Sequence, residues 1–363
     1  MKRSIVAIAA MLSLPAPAWA TPFAQPAIAC DPKHYVSYRT DMPIRIDGKL
    51  DETIWAKAAW TDNFVDIEGA AKPTPRFKTR AKMLWDDDYL YLAIEMEEPD
   101  LWATLTERDA VIFQDNDIEV FIDPDGSTHK YMELEVNALA TAWDLLLIKP
   151  YRDGKNVAVN GWDMHGLKVA TSLRGTLNAP GDRDGGWTAE IAIPWSALRE
   201  SYRDASRPKA GEQWRLNFSR VQWQTQAVDG KYRKRVDAKT GQPLAEDNWV
   251  WSPQGLVDMH YPEMWGVVQF SAKTAGTGND DYVPDPKAAP KWALRQLYYA
   301  ERSYWLEHAR FGADLATLGL ALEPVPGYAW PPNIEAGKDQ FKATLTSLDG
   351  KTSVAIEQDG YVH

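Results

Sequence analysis

Apolar and polar residues alternate along much of the chain, a period that indicates half-buried β-strands. Residues 81–85 and 89–96 alternate in this way, and the three aspartates between them, 86–88, favour a tight turn because Asp tolerates turn backbone angles. Residues 117–123 alternate as well. Antiparallel strands joined by short acidic turns predict a β-sandwich.

The segment YMELEVN, residues 131–137, has the same period. Met132, Leu134 and Val136 fall on one face of this predicted strand. The opposite face carries Tyr131, Glu133, Glu135 and Asn137. A solvated face is the ordinary interpretation of such a row, and a polar binding surface is the functional one. Further strands are predicted at 44–46, 63–67, 141–148, 167–173, 187–193, 214–223, 249–251 and 265–270, with a long polar loop at 224–248.

The pattern changes after residue 273. Residues 274–290 are rich in Gly, Pro and Asp, which is typical of a linker. Residues 292–311 repeat apolar positions near a 3.6-residue period, and this predicts a helix. A short helix at 314–318 and strands at 341–346 and 353–358 complete a small α+β region.

Composition and charge exclude some partners. The net charge is −11 and there is no block of basic residues, so neither a nucleic acid nor an anionic membrane surface is an expected partner. The 17 tryptophans are predicted mainly to fill the core, with a few exposed rings able to stack on a ligand.

The first twenty residues have the pattern of an export signal. A basic start at Lys2 and Arg3 precedes the apolar run 5–14 and an A-x-A cleavage site at 18–20. The run is too short to span a bilayer, and no later segment qualifies. We therefore expect a mature protein that begins at Thr21 and is periplasmic or secreted. Anchoring as a lipoprotein at Cys30 is disfavoured because this cysteine lies far from the apolar run.

Six segments occur in an order that resembles the family 9 carbohydrate-binding modules over residues 40–271. They are IDGKLDETIW (46–55), LWDDDYLYLAIEM (84–96), DNDIEVFIDP (115–124), GWTAEIAIPWSAL (186–198), WRLNFSRV (214–221) and HYPEMWGVVQF (260–270). The resemblance implies an immunoglobulin-like antiparallel β-sandwich, with a small C-terminal α+β appendage added here. The expected organisation is a signal peptide at 1–20, an extension at 21–39, the sandwich at 40–272, a linker at 273–290 and the C-terminal region at 291–363.

The resemblance also implies a sugar site, which this chain has altered. Glu119 matches the sugar-contacting Glu of the family, whereas Phe113 stands at the first of two clamping tryptophans. Glu135 stands where the family has a sugar-contacting Arg. The second clamp position falls near Met259, beside His260.

Other side chains are candidates to complete this site. Trp102 and Trp143 offer rings for stacking, and Asn137 offers an amide for sugar hydroxyls. We therefore expect an exported, non-catalytic carbohydrate-binding protein that recognises an oligosaccharide or polysaccharide. By resemblance, it would work beside glycoside hydrolases.

Two alternative functions remain open. Relatives on this fold bind haem b through Met with His or Lys, and the candidate ligands here are Met83, Met96, Met164, Met259, His129, His165 and His260. The absence of CxxCH excludes covalent c-type haem. In the second alternative, Glu119, Glu133 and Glu135 supply a carboxylate pair for glycoside hydrolysis. The sequence contains no GxSxG, HExxH or CxxC motif.

A metal site is a separate candidate feature. Asp115, Asp117, Asp123 and Asp125 lie at strand ends or in loops, and their hard oxygen ligands suit Ca²⁺. No cofactor is expected to be required, and structural Ca²⁺ is the candidate ion. The alternative for the DPDG segment, residues 123–126, is a plain turn.

Overall fold

The computed structural model describes residues 23–201 and 207–363, so the predicted export signal lies outside the described residues. The described chain is mainly β, with one long helix, α1, at Ala288–His308. The strands are β1 His34–Arg39, β2 Val65–Asp66, β3 Thr79–Trp85, β4 Tyr89–Met96, β5 Asp117–Asp123, β6 Tyr131–Asn137, β7 Ala142–Leu147, β8 Ala158–Val159, β9 Lys168–Arg174, β10 Gly186–Pro194, β11 Gln213–Gln222, β12 Thr225–Val228, β13 Lys231–Lys234, β14 Asp247–Val250, β15 Gly266–Thr274, β16 Asn333–Ala336, β17 Phe341–Thr346 and β18 Ser353–Glu357.

Thirteen of these strands form one continuous hydrogen-bonded sheet in the order β8-β7-β6-β5-β11-β15-β1-β3-β4-β10-β9, with β14 and β2 joined beside β11. Most neighbours are antiparallel, as predicted. Strand β1 is parallel to both β15 and β3 and so links the two halves of the sheet. The predicted mainly β sandwich-like fold with a C-terminal α+β part is confirmed, and the parallel pairs add a feature that the hydrophobic pattern does not specify.

The main hydrophobic core lies between the two halves of this sheet. The apolar residues of β5, β6 and β11 pack against those of β3, β4 and β10, and representative members are Ile118, Leu134, Phe218, Met83, Leu92 and Ile191. All six are fully buried. Removing this much apolar surface from water is the dominant stabilising contribution to such a fold.

Tryptophan supplies much of the core volume. Trp85, Trp195, Trp214 and Phe270 form a cluster of edge-to-face contacts with ring centroids 5.1 to 6.3 Å apart. This geometry places the positive edge of one ring against the negative face of the next. These tryptophans pack in the core and are not available for stacking on a ligand.

The C-terminal region packs on the sandwich and shares a hydrophobic cluster with it. Leu294, Leu297 and Tyr298 of α1 belong to the same cluster as Tyr261 and Met264, which precede β15. Strands β16, β17 and β18 form a separate three-stranded sheet that packs against α1.

Polar contacts reinforce this junction. The Tyr298 hydroxyl donates a hydrogen bond to Asp153 over 2.5 Å, and Arg302 bonds the same carboxylate over 2.6 Å. Within the predicted linker, the Asp280 amide donates to the Tyr38 hydroxyl over 2.8 Å. The linker is therefore held against the sandwich at this point.

Three sequence-based assignments differ from the structure. Residues 44–46 form no strand, since Pro43 lacks an amide hydrogen and Ile44 instead packs beside Trp55. Residues 314–318 form turns and not a helix, because a single turn is too short to repay its nucleation cost. The polar loop 224–248 contains the hairpin of β12 and β13.

Among the described residues, no helix combines the length and apolarity needed to cross a bilayer.

Candidate functional site

Strands β5 and β6 each turn one face to the main core and an acidic face away from it. On the acidic face of β5 lie Asp117, Glu119 and Phe121, and on that of β6 lie Glu133 and Glu135. The sequence leaves open whether this face is solvated. The structure buries it: every residue of both strands is buried, and Phe121 and Tyr131 on this face pack with Met259 and Trp265.

Strand register brings these carboxylates together. Glu119 is directly opposite Glu135, and Phe121 is opposite Glu133. Asp117 lies two residues before Glu119 and therefore on the same face. One carboxylate oxygen from each of Asp117, Glu119 and Glu135 lies within 4.8 Å of the other two. We call these three residues the acidic triad.

Two members of the triad, Glu119 and Glu135, line a cavity of about 300 Å³, which we call the acidic pocket. Its lining residues are Ile67, Phe113, Glu119, Phe121, Glu133, Glu135, Trp143, Tyr151, Val221, Glu246, Asn248, Val257, Asp258, Met259 and His260. Five of them are carboxylic acids, and none of the described lining residues is Lys or Arg. The pocket therefore places a cluster of acidic groups beside several aromatic rings.

Aromatic residues border the carboxylates. Trp143 on β7 is the cross-strand neighbour of Glu135 and remains partly exposed. The Phe113 amide donates a hydrogen bond to Glu135 Oε2 over 2.8 Å, which holds that carboxylate in place. Tyr151 is 45% exposed, so its ring is accessible to a ligand in the pocket. Rings with carboxylates between them can contact both the apolar face and the hydroxyls of a sugar.

Burial and mutual repulsion raise the pKa values of these acids. Burial and the charge of Glu246, partly opposed by a hydrogen bond from Ser219, raise the pKa of Glu119 to about 7. Burial also raises the pKa of Glu135 well above its ordinary value, and the charges of Glu119 and Asp117 raise it further. The pKa of Asp117 rises for the same two reasons, burial and the neighbouring charge of Glu119. Each effect disfavours the ionised carboxylate.

His260 is held as a neutral ring on the wall of the pocket. Its Nδ1 atom lies 2.8 Å from the Tyr131 hydroxyl. Burial and, to a lesser extent, the positive charge of Arg152 together lower the pKa of His260 to about 3. His260 therefore adds no positive charge to the pocket at neutral pH.

The structure gathers six of the eight predicted sugar-contacting residues in this pocket. They are Phe113, Glu119, Glu135, Trp143, Met259 and His260. Asn137 lies at the edge, where its side chain bonds Leu105 O over 2.8 Å and Asp115 over 3.1 Å. Trp102 belongs to a separate cluster with Trp223. Sequence reasoning did not single out Glu246, Asn248 and Asp258, although Asp258 directly precedes Met259.

Three of the four predicted metal ligands have other partners. Asp115 accepts hydrogen bonds from the amides of Thr104 and Leu105 over 2.6 and 2.8 Å. Asp123 and Asp125 accept amide hydrogen bonds within the turn after β5. Only Asp117 of this set belongs to the acidic triad. A second acidic cluster, formed by Asp109, Asp144 and Asp163, is bound by Arg108.

The candidate haem ligands are scattered. Met83, Met96 and Met164 are buried in the main core. Of the methionines and histidines named as candidates, only the sequence neighbours Met259 and His260 line the acidic pocket.

A family comparison covers the sandwich part of the chain. The model of the carbohydrate family 9 binding domain-like family matches residues 46–251, more than half of the chain. The chain belongs to this family.

Individual relatives cover less of the chain. This chain is 27% identical over 155 residues to exoglucanase XynX of Acetivibrio thermocellus. The match covers 42% of this chain and 12% of that enzyme. It is 34% identical over 89 residues to endo-1,4-beta-xylanase C of Paenibacillus barcinonensis, covering 24% of this chain and 7% of that enzyme. The chain therefore spans about a tenth of the length of these relatives.

Among solved structures, the chain is similar to a family 9 carbohydrate-binding module from Caldicellulosiruptor kristjanssonii. That module is known in complex with cellotriose and with glucose. The identity is 17%, the TM-score is 0.42, and the match covers 69% of this chain and all of the module.

Proposed function

We propose that this protein binds a neutral oligosaccharide reversibly in the acidic pocket. The observation that carries the proposal is the pocket itself, where Glu119 and Glu135 lie between Trp143, Tyr151 and Phe113 in a member of a carbohydrate-binding family. Carboxylates accept hydrogen bonds from sugar hydroxyls, and aromatic rings pack on the apolar faces of sugars. A volume of about 300 Å³ suits one or two sugar rings at the end of a chain.

The charge of the pocket narrows the ligand class. A uronic acid would bring a further carboxylate to a pocket with five acidic lining residues and no Lys or Arg among its described lining. A further negative charge beside acids whose ionised forms are already disfavoured by burial would oppose binding. A neutral sugar avoids this repulsion and can donate its hydroxyl protons to the carboxylates.

Calorimetry over a panel of neutral and acidic oligosaccharides tests the proposal. We expect wild type to bind a neutral glycan. Glu119→Gln should weaken binding by roughly tenfold to a hundredfold, because losing a charged hydrogen bond costs about 1–3 kcal/mol. Glu335→Gln is the matched control, since Glu335 is exposed on β16 in the C-terminal region. Failure of wild type to bind any glycan, with and without added Ca²⁺, would refute the proposal.

In this proposal, the protein binds the glycan without cleaving it. Incubation of the bound glycan with the protein should release no shorter products. Product release that disappears in Glu119→Gln would instead establish hydrolysis by the carboxylates of the pocket.

We also propose that the protein is exported and works beside glycoside hydrolases. The charged start, short apolar run and A-x-A site support export. The matched segments of the exoglucanase and xylanase support an accessory role. N-terminal sequencing should find Thr21 as the first residue, and an intact Met1 would contradict export.

A further inference from the structure

The spacing of the acidic triad matches the geometry of a bound cation. Ca²⁺ binds oxygen ligands at about 2.3–2.6 Å, so two ligands on opposite sides of one ion are about 4.6–5.2 Å apart. The carboxylate oxygens of Asp117, Glu119 and Glu135 all lie within 4.8 Å of one another. A single ion can therefore contact all three without a change in the backbone.

One oxygen atom of the triad is buried without a hydrogen-bond partner among the described residues. Asp117 is 1% exposed, and its Oδ1 atom accepts a bond from the Val221 amide over 3.3 Å. Its Oδ2 atom is buried and has no hydrogen-bond partner among the described residues. Burying a carboxylate oxygen without a hydrogen-bond partner costs free energy unless another group or an ion interacts with it. Glu135 accepts a hydrogen bond from the Phe113 amide through Oε2 over 2.8 Å, and its side chain also bonds Glu133.

Two basic side chains with contacts near the pocket, Arg152 and Lys234, are engaged elsewhere. Arg152 bonds Glu263 over 2.9 Å and the carbonyl of His260 over 3.1 Å. Lys234 lies over the Trp223 ring, 3.2 Å from its centroid. Neither residue lines the acidic pocket. Within the described chain, the compensating charge for three buried carboxylates is therefore not supplied by an adjacent Lys or Arg.

We propose that the acidic triad binds a divalent metal cation, with Ca²⁺ as the preferred ion. All three ligands are hard carboxylate oxygens, which suit Ca²⁺ better than softer transition metals. This site differs from one built on Asp115, Asp123 and Asp125, whose carboxylates organise local turns and loops.

The ion would take part in sugar recognition, and this second step rests on the proposed function. Three carboxylates leave several coordination positions of Ca²⁺ open, since the ion takes six to eight ligands. Because Glu119 and Glu135 also line the acidic pocket, positions on that side of the ion would be available to water or to neighbouring sugar hydroxyls. The cation would then supply the positive charge that no Lys or Arg among the described lining residues of the pocket provides.

Terbium luminescence and calorimetry test the cation site on the full-length mature protein after removal of metals. Trp143, opposite Glu135, is placed to sensitise Tb³⁺ bound at the triad. We expect sensitised emission that Ca²⁺ displaces, and a calorimetric Ca²⁺ isotherm with one site. Asp117→Asn and Glu135→Gln should each weaken Ca²⁺ binding at least tenfold. Asp125→Asn is the matched control and should bind as wild type does.

Opposite outcomes would overturn the proposal. A folded wild-type protein that binds neither Tb³⁺ nor Ca²⁺ excludes the site, and so does loss of binding in Asp125→Asn with retention in both triad variants. Near-UV circular dichroism checks that each variant is folded. Should a triad variant fail to fold, the thermal shift of wild type settles the question: millimolar Ca²⁺ should raise its melting temperature by mass action, and no shift counts against the site.

The two proposals fail in distinguishable ways. Ca²⁺ binding at the triad without binding of any glycan refutes the proposed function and leaves the cation site intact. Glycan binding that is unchanged after chelation, with no Ca²⁺ isotherm, refutes the cation site alone. Glycan binding that is lost on chelation and restored by Ca²⁺ supports both.

Discussion

Glu119 and Glu135 face each other directly across the antiparallel strands β5 and β6, with carboxylate oxygens less than 4.8 Å apart. Two acids directly opposed in a sheet are mutually destabilising. Their arrangement is therefore maintained at a cost to stability, which is a common property of binding sites.

Neutralising one member of this pair should stabilise the metal-free protein. Glu135→Gln keeps an oxygen for the Phe113 amide, and it removes an acid whose ionised form is disfavoured by burial and by the charges of Glu119 and Asp117. We expect a gain of roughly 0.5–1 kcal/mol, or about 1–3 °C in melting temperature, at neutral pH without metal. Differential scanning calorimetry in chelator measures it.

The control for this prediction is Glu95→Gln on β4. Glu95 faces Arg80 across β3 and β4, and their charged groups are 2.7 Å apart. Removing an attractive partner should give no gain in stability. Equal stabilisation of both variants would contradict the assignment of repulsion to Glu119 and Glu135.

Glu263 should contribute to stability in a pH-dependent manner at the junction with the C-terminal region. Burial alone would raise its pKa, but Arg152 and Arg295 lower it to about 2. Because the folded pKa lies below the unfolded value of about 4.5, the contribution is complete above pH 4.5 and is lost as the pH falls toward 2. A shift of this size corresponds to roughly 3 kcal/mol.

Glu263→Gln tests this pH dependence. The variant should be less stable than wild type at pH 7 in urea unfolding, and the difference should shrink steadily between pH 4.5 and 3. The exposed Glu335→Gln should show no such trend. A difference that is constant with pH would mean that Glu263 acts through packing and not through its charge.

Gly266 is required for the position of Trp251. A Cβ atom at residue 266 would lie 2.3 Å from the Trp251 ring, which is 2% exposed and cannot move outward freely. Gly266→Ala should destabilise the protein by about 1–3 kcal/mol through overpacking. Gly161→Ala is the control because nothing lies within 4 Å of that Cβ position. Chemical denaturation of both variants provides the comparison.

The buried ion pair between Arg220 and Glu98 should be needed for stability. The charged groups are 2.9 Å apart and the side chains are 1% and 2% exposed. Arg220→Met leaves Glu98 as an uncompensated buried charge, at a cost of about 3–5 kcal/mol. A lower denaturation midpoint with an unchanged slope would show this loss. Adding Glu98→Gln to Arg220→Met should recover part of it, and no recovery would argue against an electrostatic cause.

The strands of this protein follow closely from its sequence. The predicted strand 341–346 coincides with β17, and the segments 117–123 and 131–137 coincide with β5 and β6. A period of two in apolar residues fixes both the strand and the face that enters the core. This signal is local, so the sequence alone is sufficient to read it.

Sequence and resemblance together also indicated part of the site. Glu119 and Glu135 were expected to face a ligand, and they line the acidic pocket with four other predicted residues. The predicted sugar contacts Asn137 and Trp102 lie outside its lining, and whether they reach a ligand remains a prediction.

Tertiary structure alone decided the chemistry of the pocket. Asp117 joins Glu119 and Glu135 because of strand register, while Glu246 and Asp258 arrive from loops more than a hundred residues away in the chain. Burial of the acidic face depends on which segments cover it, and an alternating pattern is the same whether that face meets water or protein. The sequence by itself determined which residues form strands and which side chains share a face. The packing of distant segments determined that these carboxylates lie together, away from bulk water and without a basic partner lining the pocket.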